Sequence, residues 1–227
     1  MADGKHPIRL IVGLGNPESK YDGTRHNAGF MFAERLLTKL PRAFRVQRIH
    51  GFQSYYWKGT YAGAPLIIQT PLTYMNLSGE AVAPLMRSEG IAPDEVLVVH
   101  DDMDIPLGRI RIRRGGGSAG HNGIKSLIEE IGGEGFHRLR IGVGHAESRG
   151  DVIDYVLSDF SEEERVVFDR VLTGATEAAI LILRRGIAMA MNQYNPRDFS
   201  ADETSQPNKT TTETSVTTNK NHLEVQS

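Results

Sequence analysis

Ile8-Arg9-Leu10-Ile11-Val12-Gly13-Leu14, running through Gly15-Asn16-Pro17 and on to Ala28-Gly29-Phe30-Met31-Phe32-Ala33, decides the fold. The first run is short, rich in β-branched residues and bounded by glycine and proline, which predicts a buried strand. From Ala28 onward apolar residues recur at helical spacing, at Phe32, Ala33, Leu36, Leu37 and Leu40, until Pro41 stops the helix. Between strand and helix, Tyr21-Asp22-Gly23-Thr24-Arg25-His26-Asn27 brings a histidine to the helix mouth. His26 is well placed there to act as a general base. The positive helix end is expected to disfavour the imidazolium and to leave a ring that can accept a proton.

Strand and helix patterns keep alternating outward from that unit. Tyr55–Tyr61 and Pro65–Thr70 read as two strands joined by Ala62-Gly63-Ala64, and a helix follows Asn76-Leu77-Ser78 as far as Gly90. Glu95–Val99 reads as a buried strand delivering His100-Asp101-Asp102. Arg109–Arg113 is a further strand, then a glycine loop opens a helix at Ile124, and Arg138–Val143 is another strand. Ser161-Glu162-Glu163-Glu164 is a capping box for a long helix through Leu183. This order predicts an α/β fold, a single-domain three-layer α/β/α arrangement with a mixed, mostly parallel sheet over residues 1–200. Residues 201–227 are dominated by Thr, Ser, Asn and Gln and are expected to form a disordered tail.

With 227 residues, 39% of them hydrophobic, the chain can bury a full core. It has no cysteine, which excludes thiol nucleophiles, disulfides and cysteine-type zinc sites. No apolar run approaches the roughly 20 residues that span a bilayer, and no signal-peptide core is visible, so no membrane partner and a cytoplasmic location are expected. The net charge is −2, but residues 201–227 hold four acidic and two basic side chains, leaving 24 of each in the body. Nucleic-acid binding must therefore come from a local patch.

One such patch is visible. Period-two spacing puts Arg109, Arg111 and Arg113 on one strand face at roughly 6.6 Å intervals, with Ile110 and Ile112 opposite. Arg114, the following glycine loop and the alternating Arg138 and Arg140 extend a setting suited to phosphates. Gly115–Gly120 also satisfies the dinucleotide pattern G-x-G-x-x-G, but the alternating strand before it is unlike a Rossmann strand. Gly116–Gly120 fits G-x-S-x-G with Ser118 as nucleophile, although the only downstream histidine after Asp151 and Asp154 is His222 in the tail. His100, Asp101, Asp102 and Asp104 would suit a metallohydrolase, but their successive side chains point to opposite faces.

Asn16 follows the first strand, Asn76 precedes a helix, Asp101 ends a strand and Asn122 starts a helix, so all four can share with His26 one crevice beyond the strand ends. Five motifs in order complete the picture: Gly13-Leu14-Gly15-Asn16-Pro17, Thr24-Arg25-His26-Asn27-Ala28-Gly29 with Tyr21, Thr73–Gly79, His100–Pro106 and Gly120-His121-Asn122-Gly123. Together with Phe136–Gly142 they closely resemble bacterial peptidyl-tRNA hydrolases, over about Ile8 to Phe199.

The resemblance implies a monomeric α/β protein of the phosphorylase/hydrolase-like type. Its partner would be peptidyl-tRNA, and it would hydrolyse the ester between peptide and tRNA without metal or cofactor. It implies His26 as the general base, Asp101 as the acceptor that fixes its tautomer, and Asn16, Asn76 and Asn122 as holders of peptide carbonyls, water and oxyanion. Met75 and Tyr21 would line the cleft, and Arg113 and Arg140 would clamp a tRNA phosphate. Glu18 departs from the family pattern, which has glycine after Asn-Pro; Gly144-His145-Ala146 and the tail depart as well. Three rival functions stand beside this one: a non-catalytic RNA-binding relative, an esterase using Ser118, and a metallohydrolase using the His100–Asp104 cluster.

Overall fold

The computed structural model describes residues 7–45, 47–145 and 151–201, so the tail from residue 202, with His222, and Ala146 lie outside the described residues. Strands β1 (Leu10–Gly13), β2 (Arg48–Gly51), β3 (Ser54–Tyr61), β4 (Ala64–Pro71), β5 (Val96–Asp102), β6 (Ile110–Arg114) and β7 (His137–Gly142) form one sheet in the order β2-β3-β4-β1-β5-β7-β6. The centre, β4-β1-β5-β7, is parallel, while β2, β3 and β6 join through antiparallel pairings. Within this sheet β3 and β6 run against the other five strands. The sheet is thus mixed and mostly parallel in direction.

Among the described residues seven helices surround it: α1 (Ala28–Lys39), α2 (Arg42–Arg45), α3 (Ser78–Glu89), α4 (Asn122–Ile131), α5 (Val152–Val156), α6 (Glu162–Arg185) and α7 (Ile187–Tyr194). The period-two alternation of the central strands sorts the core into two layers. Ile11, Leu97, Val99, Leu139 and Ile141 pack with Phe32 and Leu36 of α1 and Phe168 and Ala175 of α6. Leu10, Val12, Val96 and Val98 face Val82 and Leu85 of α3 and Leu127 of α4. Helices on both faces of one sheet make the three-layer architecture.

Two close approaches place the site. A Cβ on Gly29 would lie 2.4 Å from both the Leu14 nitrogen and the Val99 oxygen, so α1 starts in backbone contact with the end of β1 and the middle of β5. On the other face, a Cβ on Gly79 would meet the Ser126 oxygen at 2.3 Å, and the Gly79 N–H donates to Ser126 Oγ at 2.9 Å. That contact draws the Met75–Leu77 turn before α3 against the first turn of α4. The capping box of α6 forms as its sequence implies: Ser161 Oγ accepts from the Glu164 N–H at 3.2 Å, and Glu164 Oε2 accepts from the Ser161 N–H at 2.8 Å.

Candidate active site

His26 lies in a 3₁₀ turn, Arg25–Asn27, that runs directly into α1. Neighbouring Arg25 is buried, and its guanidinium donates to the Ser158 carbonyl, Ser158 Oγ, the Asp159 carbonyl and Glu164 Oε2. The turn is therefore anchored to the α5–α6 connection, and with it the imidazole. His26 Nδ1 donates to Asp101, 3.0 Å from Oδ1 and 3.1 Å from Oδ2. The bond commits Nδ1 and leaves Nε2 as the ring nitrogen available to the cavity that His26 lines.

Asp101 serves a second imidazole as well. His121, the N-cap of α4, accepts through Nδ1 from the Gly123 N–H at 3.1 Å and the Ile124 N–H at 3.3 Å. An Nδ1 that accepts carries no proton, so the network assigns the Nε2–H tautomer, which donates to Asp101 Oδ1 at 3.0 Å. Burial alone would raise the Asp101 pKa, but the imidazoles of His26 and His121 outweigh it and hold the carboxyl well below the usual carboxylate range. Burial pulls the His26 pKa down, and the Asp101 carboxylate more than reverses that, leaving it raised above 6.5. The expectation that the helix end governs the protonation of His26 is thus corrected, because a carboxylate in hydrogen-bond contact outweighs a partial charge at a helix terminus.

A cavity of about 570 Å³ opens over this pair, lined at its catalytic end by Asn16, His26, Met75, Asn76 and Asn122. Asn16 Oδ1 accepts from the Met75 N–H at 2.9 Å, so the group Asn16 can offer a ligand is its Nδ2 donor. Asn27 brackets the Asn16 backbone, accepting its N–H at 2.8 Å and donating to its carbonyl at 3.0 Å. Asn76 sits in the turn before α3 and Asn122 is the first residue of α4. Three neutral amides and one imidazole nitrogen thus converge, a set that can orient an uncharged carbonyl and donate to charge developing on it.

Tyr21 ends the Ser19–Tyr21 turn, with the Lys20 ammonium 4.8 Å from its ring centre, and Tyr74 lines the cavity beside Met75. The arginines also differ from one another. Arg113 is exposed on edge strand β6. Arg140 is partly buried, its Nε donating to Asp102 Oδ2. Arg138 is buried, binding the carbonyls of Gly116 and Gly117, and burial together with Arg113 pushes its pKa down to about 10. It braces the glycine loop and is not open to a phosphate, which corrects the equivalence read from its spacing.

The dinucleotide, esterase and metal-site readings lack the geometry they need. β6 is an antiparallel edge strand, so the glycine pattern does not form a βαβ phosphate cradle. The Ser118 carbonyl closes a turn with the His121 N–H at 2.9 Å, four residues before α4 begins, which is not a strand-to-helix elbow. Asp102 accepts from Arg140 and from the Asp104 N–H, and His100 Nδ1 donates to the Asp101 carbonyl at 2.6 Å. The ligand atoms that converge among the described residues, within 4.8 Å, belong to His26, Asp101 and His121, and hydrogen bonds already occupy them. Sequence reading assigned no role to His121 or Arg25, although both lie within motifs it singled out.

A family model described as Peptidyl-tRNA hydrolase matches residues 10–204. The chain is 45% identical over 203 residues to a peptidyl-tRNA hydrolase from Synechococcus, covering 88% of each protein. Similarity to the peptidyl-tRNA hydrolase of Sulfurihydrogenibium reaches 47% over 188 residues, 83% of this chain and 97% of the relative. The crystal structure of peptidyl-tRNA hydrolase from Acinetobacter baumannii superimposes with a TM-score of 0.80 at 38% identity, over 86% of this chain and all of that one.

Proposed function

Because this chain belongs to the peptidyl-tRNA hydrolase family, whose members hydrolyse the ester joining peptide to tRNA, we propose that it does so with His26 as general base. The observation carrying this reading is the single commitment of His26, Nδ1–H to Asp101, with Nε2 left at a cavity lined by three asparagines. In the first step Nε2 takes a proton from a water whose oxygen attacks the ester carbonyl carbon. Asp101 holds the tautomer and balances the imidazolium that forms. Asn16 Nδ2, Asn76 and Asn122 place the carbonyl and the water and donate to the oxyanion. As the tetrahedral intermediate collapses, the carbon–oxygen bond to the terminal ribose breaks, and His26 returns its proton to that oxygen.

Arg113 and Arg140 are proposed to meet a tRNA phosphate, with Met75 at the floor of the cleft. The protein is proposed to work as a cytoplasmic monomer without a metal; no helix among the described residues is long and apolar enough to cross a membrane. The test is hydrolysis of a short peptidyl-tRNA by the wild type, with and without chelator, and by Ser118→Ala. Full turnover in all three supports water activated by His26. Loss with chelator, or loss in the serine variant, overturns it.

A further inference from the structure

Four arginines form a block where β6 pairs with β7: Arg111 stands opposite Arg140, and Arg113 opposite Arg138. Ile110, Ile112, Leu139 and Ile141 belong to the core layer of α1 and α6, so strand alternation turns all four arginines to the other face of the sheet. Like charges directly opposite one another repel, and each guanidinium needs its own answer. Arg140 has Asp102, and Arg111 donates to the Asn195 carbonyl. Arg138 is 3% exposed and turns its fork onto two successive carbonyls of the glycine loop, Nη1 to Gly117 at 2.7 Å and Nη2 to Gly116. Its guanidinium lies 4.8 Å from the Phe136 ring centre, and the Gly115 N–H donates to the Phe136 carbonyl at 3.0 Å. The loop is thus tied to β7 at three consecutive glycines.

Arg113 is the fourth arginine. It is exposed, and its guanidinium lies over Gly116, where a Cβ would come 2.7 Å from its Cζ. Gly116 also holds a φ of +100°, which glycine adopts without strain. This one residue offers its carbonyl to the buried arginine and its bare Cα to the exposed one. We propose that Arg138 is a positioning residue for tRNA: by holding Gly116 and Gly117 it fixes the seat from which Arg113 meets a phosphate. The inference rests on the phosphate contact proposed above for Arg113 and adds how that arginine is aimed. A loose arginine on an edge strand gives up its rotamer freedom when it grips a phosphate, and one already seated gives up less. Lysine cannot stand in for Arg138, because one ammonium does not span two carbonyls as the guanidinium fork does.

The experiment measures the affinity of the full chain for an inert tRNA conjugate across a salt series. Arg113→Ala is expected to lower the log–log salt slope by about one unit, the loss of one phosphate contact. Arg138→Lys and Gly116→Ala keep the charge of Arg113 and remove its seat. Each is expected to weaken binding by about threefold, the size of one exposed charge contact, and to move the slope toward that of Arg113→Ala. Gly116→Ala lies in a half-exposed loop and reaches the seat without disturbing the buried guanidinium. In the Arg113→Ala background neither change is expected to cost more than about a further twofold, because residues acting through one contact do not add. Wild-type affinity and slope in either folded single variant, beside a loss in Arg113→Ala, overturn the positioning and leave the phosphate contact standing. Losses that persist undiminished in the Arg113→Ala background also overturn it, since a general weakening of the fold does not depend on Arg113. A wild-type slope in Arg113→Ala overturns the contact and the positioning together.

Discussion

Asp101→Asn keeps the size and sheet position of the side chain and changes only what it offers. In the native site Oδ1 accepts from both His26 Nδ1 and His121 Nε2 at 3.0 Å, and Oδ2 lies 3.1 Å from His26 Nδ1. An amide that keeps its oxygen between the two rings turns its NH₂ toward the Nδ1–H of His26. Donor then meets donor, and the ring is driven to the Nε2–H tautomer, which cannot take a proton from water. The same replacement in a Ser-His-Asp triad costs about 10⁴ in turnover. The retained oxygen leaves a partial anchor here, so a loss of about 10³–10⁴ in kcat is expected. The pH profile carries a separate signature. Burial depresses the His26 pKa and Asp101 reverses that, so removing the carboxylate leaves burial unopposed and the pKa falls below 6.5. A base works unprotonated, so wild-type kcat rises with pH through a midpoint above 6.5, and the variant's residual kcat through a midpoint below it. Single-turnover hydrolysis of a short peptidyl-tRNA across about pH 5 to 9 reads both effects. Near-native kcat in a folded variant, or an unmoved midpoint, would refute the role given to Asp101.

Gly29→Ala is expected to destabilise the fold by about 3 kcal/mol or more, because the new methyl meets strand backbone at 2.4 Å and no flexible side chain can yield; a urea midpoint within error of the wild type would show that α1 can lift off the strands. Arg113→Ala with Arg140→Ala is expected to flatten the log–log salt dependence of tRNA binding by about one to two units. Most of that change should come from exposed Arg113, since Arg140 is already paired with Asp102. Affinity for an inert tRNA conjugate across a salt series checks it, and an unchanged slope would place the tRNA elsewhere.

The parts of the site that depend on chain order and period were legible in the sequence. A strand, a turn and an amphipathic helix put His26 near the end of β1, and the apolar run of β5 delivered Asp101 beside it. The polar edge was less legible, because β2 (Arg-Ile-His-Gly) has little apolar patterning and pairs along one side only. Arg138 and Arg140 occupy equivalent parities of β7, yet the glycine loop folds its carbonyls over the first and Asp102 meets the second. Periodicity gives a side chain's face but not what lies over it. His121 was hidden for a related reason: as an N-cap it reads as local chemistry, and only the packing of α4 against the end of β5 brings its other nitrogen to Asp101. Tyr74 was passed over because, as the N-cap of the Met75–Leu77 turn, it reads as local chemistry, and only tertiary placement brings it to the cavity.

The general-base claim is met most directly by His26→Ala under single-turnover conditions, with tRNA affinity measured on the same preparation. The expected result is a loss of about 10²–10⁴ in the hydrolysis rate with tRNA binding largely intact, since the imidazole acts at the chemical step alone. Hydrolysis at close to the wild-type rate by the folded variant would contradict it and remove His26 from the mechanism.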